Sequence, residues 1–446
     1  MAYNRKQRLN DNIKAIETAF ILDREQRTPT ARERLLLERY CGFGGLKCIL
    51  NPARELADAV HWAKSDLELF APTVELHRLI RENSKNESEY KQLMDSLKQS
   101  VLTAFYTPSA VTEALTDVLK EHQVIPEKVL EPSAGIGAFV DSVLDNNPKA
   151  DIMAFEKDLL TGKILHHLHP EQKVRIEGFE KIEKPFNDYF DLAISNIPFG
   201  DVAVFDPSYT AMKGMRALVT RRIHNYFFVK ALDTVRDGGL VAFITSQGVL
   251  NAKNNSAARF MMLYHADLVS AIRLPNNLFT ENANTEVGSD LIILQKNTQK
   301  ESLRGDDNLL DTVYNDENRI PTNNYFLEHP ERIIHTTAKL DTDPFGKPAM
   351  IYTHEDGVEG IAEDLRKMLH EDFKKNLNLN RYLGIEETKA EEVKEVEETE
   401  KIEKTEKIKP SIEEKQNDAV VSLQKQEKPT DDAELSQKSN HQQPPV

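Results

Sequence analysis

The sequence contains few of the residues that would cross-link a chain or anchor it in a membrane. It has two cysteines and one tryptophan among 446 residues. Two cysteines are too few for a disulfide framework or a four-cysteine zinc site, so we expect a reducing, cytoplasmic compartment and no metal centre. No run approaches the ~18 apolar residues of a membrane-spanning helix. The start, MAYNRKQRLNDN, lacks the apolar core of a secretory signal.

Positive charge is also in deficit. The chain carries 57 Lys and Arg against 73 Asp and Glu, a net charge of −16. This balance argues against a protein that coats nucleic acid by bulk attraction, although local basic patches are compatible with it. Residues 386–446 alone hold 17 acidic and 10 basic residues and few apolar ones. We predict that they form a disordered Glu/Lys-rich tail, because they cannot bury enough apolar surface to offset the entropy of ordering.

Helical periodicity dominates residues 1–100, which we interpret as a helical N-terminal region. Further helices are predicted over ARERLLLERY (31–40), ELADAVHWAK (55–64) and ESEYKQLMDSLKQSVL (87–102). The glycine-rich CGFGGLK (41–47) predicts a tight or flexible loop. A phosphate-binding loop is the weaker alternative there, because no strand precedes it and no Walker spacing follows.

Short apolar runs alternate with helices over residues 101–297, which we interpret as one α/β domain. One predicted helix is HNYFFVKALDTVRDGG (224–239). The alternation predicts an α/β fold with a mostly parallel, doubly wound sheet, and ligands of such sheets bind at the carboxyl ends of the strands. The predicted strands fall in 128–134, 150–158, 173–180, 191–200, 239–246, 268–275 and 290–296. Residues 298–385 are less regular and are predicted to be an ordered C-terminal appendage.

The turn EPSAGIGAF (131–139) joins the first strand to a helix. Gly135 and Gly137 allow a ligand to approach the backbone closely. The turn lacks the third glycine of a dinucleotide fingerprint and the Lys of a phosphate loop. Glu131 instead puts an acid at the end of the strand, which suits a cationic ligand such as S-adenosylmethionine. Glu156 ends the next strand, where an acid commonly binds ribose hydroxyls; a solvated surface carboxylate is the alternative.

Two further motifs give the site a family resemblance. FYTP (105–108) precedes the glycine turn, and NIPF (196–199) follows the fourth strand. In this order the three motifs resemble those of the N6-adenine DNA methyltransferases. The similarity extends to the large adenine methylases of bacterial mobile elements and phages, which are often fused to helicases. The resemblance covers roughly residues 30–385.

The resemblance implies a Rossmann-like methyltransferase sheet and methyl transfer from S-adenosylmethionine to the N6 amine of an adenine flipped out of duplex DNA. It also implies that residues 101–297 are the catalytic domain. DNA is an implied partner, with residues 298–385 as a contact, and a helicase or restriction subunit acts in trans. The catalytic residues that it implies are Asn196, Ile197, Pro198 and Phe199. The implied cofactor-binding residues are Tyr106, Thr107, Pro108, Glu131, Pro132, Ser133, Ala134, Gly135, Gly137, Phe139, Glu156 and Glu180. For the cofactor adenine, stacking by Phe179 is an alternative to contact with Glu180.

The departure from the family pattern is Ile197, where the family has proline. By resemblance, the Asn196 side-chain oxygen and the backbone carbonyl of residue 197 accept the N6 hydrogens, and a backbone carbonyl survives this replacement. Other acceptors, an RNA adenine or a protein glutamine, are alternatives within the enzymes. A non-catalytic DNA-binding or antirestriction protein that keeps the fold is the alternative outside them.

A cluster of basic residues follows NIPF within residues 201–224. Its members are Lys213, Arg216, Arg221 and Arg222. Basic side chains beside a flipped base are suited to hold the flanking phosphates. Ordinary surface charge is the alternative interpretation.

Removal of residues 386–446 should leave methyl transfer to DNA unchanged, because a segment without an apolar core contributes little to a folded site. The measurement compares labelled-methyl incorporation by the full chain and by a chain ending at Ile385. A loss of activity in the shorter chain would contradict the prediction.

Overall fold

Strands form where the apolar runs occur, and they pair into one central sheet. The computed structural model describes residues 4–103, 105–212, 214–280, 286–303, 307–314, 319–343 and 346–385. The predicted tail over 386–446 lies outside the described residues. The described part up to Gly384 belongs to one compact unit.

The central sheet contains seven strands. They are β1 (Lys128–Glu131), β2 (Asp151–Phe155), β3 (Lys173–Arg175), β4 (Phe190–Asn196), β5 (Val235–Ser246), β6 (Ala266–Leu274) and β7 (Ser289–Lys296). Their order is β3-β2-β1-β4-β5-β7-β6. The first five pair in parallel, and β7 runs antiparallel to both β5 and β6. All seven predicted strands are present, and the mostly parallel sheet is confirmed.

Helices cover both faces of the sheet, as a doubly wound fold requires. The helices up to β6 are α1 (Arg5–Glu25), α2 (Ala31–Leu37), α3 (Phe70–Glu82), α4 (Glu87–Thr103), α5 (Ser109–Glu121), α6 (Ala138–Asn146), α7 (Leu159–Leu168), α8 (Pro207–Thr210), α9 (Gly214–Val219), α10 (Ile223–Thr234), α11 (Gly248–Asn251) and α12 (Ser256–His265). Apolar side chains of α5 and α6 pack on one face, and those of α10 and α12 pack on the other.

The N-terminal helices pack on the sheet domain through α7. Buried side chains of α1, α3 and α4 share one apolar cluster with Leu160, Ile164 and Leu168 of that helix. Thr30 and Glu33 form a capping box at the start of α2. The side chain of each accepts a hydrogen bond from the backbone N–H of the other. The glycine-rich loop belongs to the same cluster, since Phe43 is fully buried in it.

The chain after β7 adds small elements and one long helix. They are the strands Thr312–Tyr314, Pro321–Asn323, Thr337–Thr342 and Pro348–Thr353 and the helices Asn324–Glu328, Gly357–Asn376 and Leu379–Leu383. The helix Gly357–Asn376 buries Leu365, Leu369 and Phe373 in the cluster that also contains α5 and α6. Short 3₁₀ helices occupy Lys47–Leu50, Leu56–His61, Lys64–Leu69, Phe179–Lys181, Lys184–Phe186, Lys253–Asn255, Asn276–Phe279, Asp307–Leu309 and Pro330–Arg332.

Two predicted helices were partly wrong. The helix predicted over 224–239 ends at Thr234, because Val235 and Leu240 pair with Phe190 and Leu192 and extend the chain into β5. The segment 55–64 forms a 3₁₀ helix rather than an α-helix. Its helically spaced apolar residues, Leu56 and Val60, are both more than four-fifths exposed, so no buried face supports a longer helix.

No helix in the described ranges is both long enough and apolar enough to span a membrane.

Candidate active site

A cleft of about 890 Å³ opens at the carboxyl ends of β1 and β4, where the strand order of the sheet reverses. Ligands of doubly wound sheets bind at this reversal. Most of the predicted site residues line the cleft: Tyr106, Thr107, Glu131, Pro132, Ser133, Ala134, Gly135, Phe139, Glu156, Glu180, Asn196, Ile197, Pro198 and Phe199. Pro108, which begins α5, and Gly137 are the two predicted residues that do not line it.

The two glycines of the turn have different surroundings. Both have positive φ, +57° at Gly135 and +89° at Gly137. A Cβ on Gly135 would lie 2.8 Å from the ring of Tyr106, which faces the cleft. A Cβ on Gly137 would lie 2.7 Å from His169 Nε2. Gly137 is therefore required by the turn and by packing behind it, whereas Gly135 is required at the cleft wall.

Glu156 braces the glycine turn. Its carboxylate accepts hydrogen bonds from the backbone N–H of Gly135 at 2.8 Å and of Asp158 at 2.7 Å. Burial, with the neighbouring charge of Asp158, raises its pKa to about 8. A carboxylate oxygen has two lone-pair positions, so each oxygen can still accept a bond from a ligand hydroxyl. Bracing the turn and binding a ligand are compatible for this residue.

Two buried polar atoms at the cleft lack partners among the described residues. Glu131 is 2% exposed and Thr107 is 6% exposed, and neither Glu131 Oε2 nor Thr107 Oγ1 has a hydrogen-bond partner there. Burial, together with repulsion from Asp141 and Glu156, raises the pKa of Glu131 well above its usual value. Unsatisfied buried polar atoms are costly in a folded protein, so a pair of them at a cleft indicates a ligand site. Within the described residues, no group of three or more His, Cys, Asp or Glu is arranged to hold a metal ion.

Asn196 is the last residue of β4, and its amide orientation is fixed. The Nδ2 group donates to the carbonyl of Phe105 at 2.8 Å, which ties NIPF to FYTP across the cleft. The amide oxygen has no protein partner in the described part of the chain. It is therefore available as an acceptor at the carboxyl edge of the sheet.

Ile197 continues the sheet by one residue. Its N–H donates to the carbonyl of Ile244 at 3.0 Å, and its side chain is 1% exposed in the core. Proline, which the family has at this position, cannot donate that bond. Isoleucine thus holds the segment by a backbone bond and apolar packing, while the carbonyl of residue 197 is retained.

The aromatic and acidic residues predicted at the site differ in how exposed their side chains are. Phe199 is half-buried and packs edge-to-face on Phe279, with ring centres 6.3 Å apart. Phe179 is 1% exposed and packs among Phe155, Tyr226 and Phe227, so its ring faces are already covered. The Glu180 carboxylate remains partly exposed, 3.6 Å from Lys157 Nζ. Of the two alternatives for the cofactor adenine, Glu180 is the more accessible.

One wall of the cleft comes from α4, which the sequence did not predict as part of the site. The polar residues of α4 that line the cleft are Gln92, Asp95, Ser96, Gln99 and Ser100. Ser96 bonds the carboxylate of Asp158, and Ser100 Oγ accepts from the N–H of Phe43 at 3.1 Å. The polar stripe at helical spacing is visible in the sequence, but nothing in the sequence indicates which element it faces.

The basic cluster after NIPF is mostly engaged within the protein. Arg216 forms two hydrogen bonds with Asp233, at 2.5 and 2.9 Å, and Arg222 pairs with Asp201 at 2.6 Å. The predicted phosphate-binding role is therefore unsupported for these two arginines. Arg221 is exposed and has no side-chain partner in the described ranges. Lys213 lies outside the described residues.

Sheet order and cleft together define a doubly wound protein whose main cleft lies at the ends of β1 and β4. The N-6 DNA Methylase family profile matches residues 88–391, and the chain belongs to that family. This confirms the family resemblance drawn from FYTP, EPSAGIGAF and NIPF.

Two curated relatives share parts of the sequence. Defense against restriction protein B of Escherichia phage P1 is 29% identical over 201 residues, which are 44% of this chain and 8% of that protein. Type II methyltransferase M.XamI of Xanthomonas campestris pv. amaranthicola is 24% identical over 173 residues, 36% of this chain and 33% of that protein. The chain thus spans a third or less of either relative.

A solved structure, the ATP-dependent Type ISP restriction-modification enzyme LlaBIII bound to DNA, aligns with 82% of this chain and 27% of that one. The identity is 12% and the TM-score is 0.38.

The buried Glu131 carboxyl should make stability depend on pH. Because folding raises its pKa above 4.5, the folded state keeps a proton that the unfolded chain releases, and stability falls as the pH rises above 4.5. Glu131→Gln cannot release a proton. The free energy of unfolding of Glu131→Gln minus that of the native chain should therefore increase with pH. Urea titrations at several pH values measure this difference. The exposed Glu113→Gln is the control, and a pH-independent difference for Glu131→Gln would count against the prediction.

Proposed function

We propose that this chain transfers a methyl group from S-adenosylmethionine to the N6 amine of adenine in DNA. The observation that carries the proposal is the fixed amide of Asn196, whose Nδ2 is bonded to Phe105 and whose oxygen remains available in the cleft that contains Glu131. Membership in the N-6 DNA Methylase family supports the reaction and the acceptor.

The residues at the cleft fit a cationic cofactor. S-adenosylmethionine, when bound, supplies an electrophilic methyl group on a positively charged sulfur. The unpartnered Glu131 Oε2 and Thr107 Oγ1 fit the polar groups of its methionine end. Glu156, with lone pairs left on a carboxylate that already holds the turn, fits the ribose hydroxyls. Glu180 fits the amine of the cofactor adenine.

On the acceptor side, Asn196 has the role that determines reactivity. The N6 lone pair of adenine is delocalised into the ring, which makes the amine a weak nucleophile. Hydrogen bonds from its two N–H groups to the Asn196 oxygen and to the carbonyl of Ile197 would localise that lone pair on nitrogen. Phe199 would stack on the base and offset part of the cost of extruding it, a few kcal/mol.

The relatives support a restriction-modification setting. One is named as a defence-against-restriction protein and the other as a type II methyltransferase. We therefore propose DNA as the substrate, with a helicase or restriction subunit as a partner acting in trans. The proposed catalytic domain is residues 101–297, with an N-terminal region over 1–100 and a C-terminal appendage over 298–385.

Asn196→Ala should lower methyl transfer by at least ~100-fold, because it removes one preorganised hydrogen-bond acceptor from the transition state. The affinity for S-adenosylmethionine should change little, since the glycine turn is untouched. Labelled-methyl transfer to DNA, RNA and protein substrates measures the first effect and identifies the acceptor, and calorimetry measures the second. Asn187→Ala, at an exposed position, is the control. Near-normal methylation of adenine by Asn196→Ala would refute the mechanism.

Gly135→Ala should weaken S-adenosylmethionine binding at least about tenfold, because its Cβ would lie 2.8 Å from the Tyr106 ring and force the cleft wall to move. Gly384→Ala is the matched control, since Gly384 also has positive φ but no atom of the described residues lies within 4 Å of its Cβ position. It imposes the same kind of backbone strain without reaching the cleft. Equal affinities for the two variants in calorimetry would sink the assignment of the cofactor site.

A second candidate is a non-catalytic antirestriction protein. It is favoured by the match to the defence-against-restriction protein of phage P1 and by the departure from the family at Ile197. The two functions separate in one assay on the native chain. Cofactor binding with methyl transfer supports the enzyme, and cofactor or DNA binding without transfer supports the antirestriction protein.

A further inference from the structure

Phe205 is an aromatic side chain that the proposed chemistry does not use. It is 80% exposed and lines the same cleft as Asn196 and Phe199. Val202, three residues earlier in the chain, is 61% exposed and also lines the cleft. A single exposed apolar residue is ordinary on a protein surface, so its exposure alone indicates nothing. Its backbone and its neighbours make this phenylalanine different.

The backbone on each side of Phe205 is anchored. The N–H of Val204 donates to the carbonyl of Thr220 at 2.8 Å. Asp206 is 3% exposed; its carboxylate accepts from Tyr226 Oη at 2.7 Å and lies 3.3 Å from Lys230 Nζ. The backbone is therefore held in place immediately before and after Phe205, while the Phe205 side chain is exposed. A preorganised aromatic ring loses little entropy when it stacks on a ligand.

The same anchoring joins the segment that carries Phe205 to the segment that carries Arg221. The Val204–Thr220 hydrogen bond joins two segments, and Phe205 and Arg221 are the residues that follow its two ends. Arg221 is exposed, and its guanidinium has no partner in the described part of the chain. An aromatic face and a free guanidinium match the two parts of a nucleotide, the base and the phosphate. A protein partner would need apolar contacts but would not account for the unpaired cation.

We propose that Phe205 stacks on a nucleobase at the mouth of the cleft while Arg221 holds an adjacent phosphate. This inference rests on the proposed function for the identity of the nucleic acid. It adds a base-contacting residue outside the motif NIPF. It also assigns phosphate binding to one arginine of the cluster in which Arg216 and Arg222 are already paired.

The test measures DNA binding separately from methyl transfer. The probe is a fluorescein-labelled oligodeoxyadenylate of about twelve nucleotides, a length within the range of single-strand binding sites. The native full-length chain is compared with Phe205→Ala, Phe205→Trp and Arg221→Gln by fluorescence anisotropy at several salt concentrations. Tyr264→Ala is the matched control, because Tyr264 is an aromatic residue that is 48% exposed and does not line the cleft.

We expect Phe205→Ala to weaken binding at least about fivefold and Phe205→Trp to retain it, because stacking requires a ring rather than a particular residue. Arg221→Gln should weaken binding and reduce the salt dependence by the equivalent of about one phosphate contact. Tyr264→Ala should bind like the native chain. Since Phe205 is exposed and packs on little, its variants should unfold at the native temperature, which thermal denaturation checks.

Unchanged affinity of Phe205→Ala, or no binding of the oligonucleotide by the native chain, would overturn the inference. Unchanged oligonucleotide binding by Phe205→Ala, combined with loss of a protein partner that the native chain binds, would overturn the inference and assign the surface to that partner instead. A native chain that binds the oligonucleotide through Phe205 but transfers no methyl group would contradict the proposed function and leave this inference standing. The two failures are therefore distinguishable.

Discussion

The parallel pairing of β1 with β4 is the constraint on which the site depends. Val129 and Leu130 pair with Leu192 and Ala193, so both strands end at the same edge of the sheet. The connections from the two strands then diverge, which opens the cleft. Ser195 Oγ donates to the carbonyl of Ser133 at 3.0 Å and fixes the two strand ends relative to each other. Without this pairing, the acid at the end of β1 and the amide at the end of β4 would not line the same cleft.

The electrostatics of the cleft follow from that arrangement. Glu131, Glu156 and Asp158 are carboxyl groups in a confined space, and burial raises the pKa of each. Such a cleft stabilises a cationic ligand and disfavours a pyrophosphate. Hydrogen bonds satisfy Glu156 and Asp158 within the protein, whereas Glu131 Oε2 has no partner among the described residues. The oxygen left for a ligand thus lies at the end of β1, on a carboxyl group whose ionised form a bound cation would favour.

The N-terminal helices contribute to the site as well as to the core. Through α4, Ser96 bonds Asp158 beside the glycine turn, and Ser100 accepts from Phe43 of the glycine-rich loop. Asn12 Nδ2 donates to the carbonyl of Gly42 at 2.7 Å. These bonds connect the loop to the cleft wall and give it a structural role. None of these bonds supports the alternative that the glycine-rich loop binds phosphate.

The local sequence pattern was enough to predict the strands, the glycine turn and the positions of Glu131 and Asn196. Strand periodicity and turn chemistry each depend on only a few consecutive residues. The pattern also predicted the edge at which these residues meet, since parallel strands place their carboxyl ends together. Partners distant in sequence were decided only by the tertiary structure. Sheet pairing ended α10 at Thr234, and Asp233 and Asp201 neutralised Arg216 and Arg222. Packing likewise covered Phe179 and left Phe205 exposed, because burial depends on which surfaces meet and that information is not local to any motif.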